Sequence, residues 1–146
     1  MHKEAAMRRP LNFRPVGIPL GMIGTQVLSA QQTPLKVALL LQTDVVGMEG
    51  KEVVVQFSEL APRATSGKHS HPGHEVAYVL EGSGTRDIEG MPPVTARAGD
   101  VFYIPSRKVH ETKNASTTDP LKLLVFRIHE KGQPITVRIE DLYFWK

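Results

Sequence analysis

The segment Lys68-His69-Ser70-His71-Pro72-Gly73-His74-Glu75 holds three of the chain's six histidines and one carboxylate. In an extended strand, residues two apart project to the same face, so His69 and His71 can turn towards one space. Pro72-Gly73 signals a turn, and Glu75 on the following strand can approach the same point. Imidazole nitrogens suit zinc, copper, iron and nickel, and a carboxylate extends the range to manganese. The chemistry on offer is that of a divalent metal. By itself, a His-x-His pair is more often two solvated residues on an exposed strand, so the rest of the chain has to decide.

The remaining residue types narrow the field. There is no cysteine, which excludes a disulfide scaffold, a thiolate zinc site and a cysteine nucleophile. No Ser-His-Asp arrangement, phosphate-cradling glycine loop or paired-carboxylate site competes with the histidine cluster.

The elements that must position these residues are strands. Leu35 to Gln42 is apolar enough for a strand buried on both faces. Lys51 to Leu60 is rich in β-branched residues, and Val76 to Leu80 follows before Glu81-Gly82-Ser83-Gly84. Further short runs span Thr85 to Glu89, Val94 to Arg97, Val101 to Ile104 and Val109 to Lys113. In Leu121 to His129, Leu123, Val125 and Arg127 alternate against Leu124, Phe126 and Ile128, and Ile135 to Ile139 can add an edge. Short strands at regular spacing, with Gly, Pro and Asp between them and no helical period, predict an all-β sandwich or barrel over residues 34–140.

Two patterns in this stretch resemble the cupin motifs, G-x5-H-x-H-x3,4-E-x6-G and G-x5-P-x-G-x2-H-x3-N. His69, His71, Glu75 and Gly82 keep the spacing of the first; Gly99, Pro105, His110 and Asn114 keep that of the second. The chain is similar to small single-domain bacterial cupins over about residues 35 to 130. The resemblance implies an all-β double-stranded β-helix, a jelly-roll-like barrel with a metal inside one mouth. It implies His69, His71, Glu75 and His110 as ligands of one divalent ion: iron, manganese, nickel, copper or zinc. Four such ligands on a six-coordinate ion leave two positions for water, oxygen or a chelating small molecule. Dioxygenation of a small organic substrate is the activity most often implied; with zinc, isomerisation or simple ligand binding is. Such proteins often dimerise by pairing or exchanging strands, and the apolar Leu35 to Leu41 segment is the candidate contact.

Two positions depart from the motifs. Arg63 and Arg107 stand where turn glycines are usual, and a positive φ is uncomfortable for arginine. Ordinary turn geometry is expected at both. His74 is expected to point away from the metal, as a rim or surface residue or as a proton relay at the mouth. Arg107 and Lys108 precede His110 and could draw an anion inward, or simply be a solvated loop. Tyr103 and Tyr78 could offer a phenol to the cavity, but core packing is the plainer expectation. His2 and His129 lie outside both motifs.

The net charge is +3, yet four of the eighteen Lys and Arg and only one of the fifteen Asp and Glu lie in residues 1–30. Beyond Ala30 the charges balance, so the body carries no basic stripe for a nucleic-acid partner. Arg8, Arg9 and Arg14 precede an uncharged run from Pro15 to Ala30 that ends in small residues. That describes a secretory signal peptide and a periplasmic or secreted protein; the alternative is an N-terminal arm of a cytoplasmic one. The run is too short and too rich in Gly and Pro for stable insertion in a membrane. The aromatic tail 141–146 is expected to pack on the barrel or on a partner subunit.

Overall fold

The computed structural model describes residues 34–140. The leader 1–30 and the tail 141–146 lie outside the described residues. No helix among the described residues is long and apolar enough to cross a membrane.

Among the described residues ten strands follow one another: β1 (Leu35–Asp44), β2 (Lys51–Leu60), β3 (His69–Ser70), β4 (Gly73–Glu81), β5 (Ser83–Ile88), β6 (Val94–Arg97), β7 (Val101–Ile104), β8 (His110–Lys113), β9 (Leu121–Glu130) and β10 (Val137–Arg138). They form two five-stranded antiparallel sheets, ordered β1-β2-β9-β4-β7 and β10-β3-β8-β5-β6. This is the double-stranded β-helix.

Alternation along β9 shows how the interior divides. Leu121, Leu123, Val125, Arg127 and His129 all face inward and are buried. The first three join Leu60, Ala77, Val79, Ala96 and Phe102 in an apolar core that plugs one end of the barrel. Arg127 and His129 belong to a polar end with Glu52, Gln56, His71, Glu75, Arg86 and His110. Buried polar groups are costly unless paired or used, so this end is where chemistry is to be sought. Gly73 opens β4 against β9 so closely that a Cβ there would meet the Ile128 carbonyl oxygen at 2.5 Å. Asn114 ties the apolar end: its amide donates to the carbonyls of Leu60, Ala61 and Asp119, and its oxygen accepts from the Ser116 N–H.

Three expectations need correction. β1 is a strand, but its residues are exposed, with Val37, Leu39 and Leu41 close to half accessible. Among the described residues it is an edge strand that pairs only with β2. Tyr78 and Tyr103 are not core residues; they are 42% and 57% exposed, on the outer face of the first sheet. Arg63 and Arg107 do not adopt ordinary turn geometry, for both have left-handed backbones, with φ of 62° and 63°. Each is held there by its own N–H, Arg63 donating to the Ser116 carbonyl at 2.9 Å and Arg107 to the His71 carbonyl at 2.8 Å. The turn shape is kept although the glycine is gone.

Candidate metal centre

Three histidines reach the centre from different directions. His69 lies on β3, directly opposite His110 at the start of β8, and His71 follows β3 in the approach to β4. Their ring centroids are 4.3 to 5.2 Å apart. One nitrogen from each lies within 4.8 Å of the other two.

The opposite edge of every ring is held by backbone. Nδ1 of His69 meets the Gly67 carbonyl at 2.7 Å, that of His71 the Ile135 carbonyl at 2.6 Å, and that of His110 the Lys108 carbonyl at 2.9 Å. A carbonyl only accepts, so each Nδ1 must carry the proton and each Nε2 presents a lone pair. This outer support fixes both tautomer and ring orientation, as it does for metal-ligating histidines. His110 Nε2 is buried and has no partner among the described residues. A buried acceptor left unpaired is costly, and a cation at the shared centre would satisfy it. The donor set therefore suits a divalent ion.

Burial strips water from the rings and disfavours their charged forms. It pulls His110 down to about 3 and His69 down to about 4, although the Gly67 carbonyl works against the shift at His69. Both are neutral, ligand-ready imidazoles at pH 7.

Glu75 is directly paired in register with Arg127 across β4 and β9, and it is buried. Its Oε2 lies 3.1 Å from His71 Nε2. Arg86 Nη1 donates to Oε1 at 2.9 Å, and Arg127 donates to Oε2 through Nε at 2.9 Å and Nη2 at 2.8 Å. Burial opposes its charge, but the charges of Arg127 and Arg86 beside it prevail and hold the carboxyl well below its ordinary range. Glu75 does not join the three histidines in the mutually close set of donor atoms. A carboxylate has roughly four lone-pair sites. The guanidiniums use three of them, which leaves one for an ion.

The other sequence candidates sit elsewhere. His74 Nδ1 bonds the Tyr103 hydroxyl at 2.7 Å, and the two rings stack on the outer sheet face. Arg107 touches the site through its backbone bond to His71. None of these three lines the cavity over the histidines, which has a volume of about 280 Å³. That cavity is lined instead by Arg86, Arg127, Gln56 and Arg138, which sequence reasoning missed as site residues. The signal for Arg127 was present, since it shares the inward face with Leu123 and Val125.

The Cupin domain family model matches residues 56–127, which carry all four predicted ligands. The chain is a cupin. No curated protein matches it in sequence. Among solved structures, this cupin is similar to the DMSP lyase DddQ from Ruegeria pomeroyi, with 19% identity and a TM-score of 0.61 over 80% of this chain and 57% of that one. It is similar to a cupin-like protein from Thermotoga maritima, with 26% identity and a TM-score of 0.59 over 72% of this chain and 75% of that one. It is also similar to an oxalate oxidase solved with glycolate, with 22% identity and a TM-score of 0.61 over 80% of this chain and 61% of that one. The cupin thus spans less than two thirds of the lyase and of the oxidase, and its likeness to both is one of fold.

Proposed function

We propose that this cupin is a mononuclear metal-dependent oxygenase of a small organic molecule. His69, His71 and His110 hold one divalent ion, with Glu75 as fourth ligand through its remaining lone pair. The ion is iron, manganese, nickel, copper or zinc. When bound, it supplies Lewis-acid or redox chemistry. The single observation that carries this reading is the triad's support: three Nδ1 atoms on three carbonyls, with Nε2 lone pairs converging and one of them orphaned. The chain's own residues fix the rings, hold Glu75 ionised through Arg86 and Arg127, and close the far end of the barrel with an apolar core.

A second reading is a non-catalytic binding or sensing cupin. Arg127 Nη2 lies 3.2 Å from His71 Nε2, so a guanidinium already approaches a lone pair that the ion needs. The first thirty residues support export to the periplasm, with a cytoplasmic location as the alternative.

Elemental analysis of untagged protein, followed by oxygen uptake with enolisable substrates, tests the function. One equivalent of metal and turnover are expected. His110→Ala should remove most of the metal, whereas His74→Ala should leave metal content nearly unchanged. Tight ligand binding with no turnover under any loaded metal would move the protein to the second reading.

A further inference from the structure

The cavity carries more positive charge than its acid can balance. Arg86 and Arg127 are buried, with side chains 2% and 6% exposed, and they share the single carboxylate of Glu75. The histidines add no negative charge. Glu52, the other acid at the polar end, lies 3.9 Å from His129 and does not line the cavity, so one buried positive charge is left over among the buried lining residues before any metal enters.

Arg127 spends its donors on Glu75, on the Gln56 side-chain oxygen and on His71. Arg86 does not. Of its five N–H bonds, the structure accounts for one, from Nη1 to Glu75, and Nε is buried with no partner among the described residues. Its guanidinium lies 4.9 Å from the centre of the Phe102 ring, which eases but does not neutralise the charge. A buried guanidinium so poorly satisfied needs an anion.

The rest of the lining says what kind. Leu35, Val37, Leu60, Leu123 and Val125 form an apolar wall beside the charged end. Arg138, on β10 opposite His69, also lines the cavity and is about half exposed. Its nearest acid, Glu140, is 3.8 Å away and well exposed. A guanidinium on the lining, weakly committed to an acid, can attract and orient a carboxylate.

We propose that the cavity selects small organic acids, the carboxylate directed to the Arg86 side of the site, past Arg138, and the apolar body along the Leu35–Val125 wall. This deepens the functional reading above and concerns the same cavity, but the charge excess stands with or without a metal. Cationic and neutral analogues of the same size are disfavoured.

The test is calorimetric titration of the full-length protein with 2-oxobutyrate and with its neutral amide, metal content being measured alongside. The metal's own preference for an anion is common to wild type and variants, so the change in the acid-to-amide affinity ratio reports the arginines. Arg86→Gln is expected to lower that ratio about tenfold and Arg138→Gln about threefold, with amide affinity and metal content unchanged by Arg138→Gln. Arg138→Lys should keep most of the ratio. Because Arg86 supports Glu75, its variant is first checked for a native thermal transition; if it does not fold, the Arg138 pair decides. An unchanged ratio in folded Arg86→Gln, or in Arg138→Gln where Arg86→Gln does not fold, overturns the proposal. A lowered ratio in protein without stoichiometric metal supports it while removing the metal-centre reading, so the two fail separately.

Discussion

At the scale of single residues, His69 and His110 are bases that folding holds uncharged. His69 and His110 fall to about 4 and about 3 because burial strips their water. In the unfolded chain they return to about 6.5. Below that pH the unfolded chain binds protons that the folded site refuses, so stability falls as acid is added. The loss begins near pH 6.5 and continues to about pH 4 for His69 and about pH 3 for His110. Glu75 acts in the same direction, for its lowered pKa contributes stability above the ordinary carboxylate range and loses it in acid. Each titrating histidine adds roughly 1 kcal/mol of slope per pH unit. Thermal melts of chelator-treated protein should therefore show a midpoint that drops between pH 7 and pH 4. His110→Gln should flatten the curve in that window. A flat profile in the parent protein would mean that the rings are hydrated and already protonate freely.

At the scale of elements, the turn before His110 shows a shape outlasting the residue that suits it best. Arg107 sits at φ 63° so that its N–H can donate to the His71 carbonyl. A left-handed backbone costs a residue with a Cβ about 1–2 kcal/mol. Glycine avoids that cost but gives up roughly 0.5–1 kcal/mol of backbone entropy. Among the described residues, the exposed Arg107 side chain forms no ion pair or hydrogen bond that could offset the difference. Arg107→Gly should stabilise the protein by roughly 0.5–1 kcal/mol, and Arg63→Gly should act alike. Denaturant midpoints measure this, and destabilisation by both would show that the side chains hold the turns. The same two positions mark a limit of the sequence. Spacing alone placed both ligand stretches, because strand alternation and turn signals are local. The letters at 63 and 107 argued against a geometry that is imposed from outside, by the carbonyls of Ser116 and His71. β1 failed for a related reason. Its apolar letters match a buried strand and an exposed edge equally well, and only the sheet order tells them apart. Arg86 is harder still, since a charged residue on a strand reads as surface until its cross-strand partner is known.

At the scale of the whole molecule, that exposed edge calls for a partner. β1 has ten residues, pairs among the described residues only with β2, and leaves Val37, Leu39, Leu40 and Leu41 between 47% and 58% exposed. A long apolar edge of this kind invites addition of another strand and is a liability in water unless something covers it. The opposite edge, β7, is only four residues long, and its exposed Tyr103 hydroxyl bonds His74. A second copy seated on β1 would also stand beside the cavity, because Leu35 and Val37 line it. We therefore propose a homodimer built on β1. Light scattering on the full-length protein at tens of micromolar should give twice the monomer mass. The double variant Leu39→Asp and Leu41→Lys should shift it to the monomer, while Tyr103→Glu on the far edge should leave it dimeric. If dimers are lost with Tyr103→Glu and kept with the β1 pair, the contact lies on the outer sheet face, and the mouth of the cavity is shaped by one chain alone.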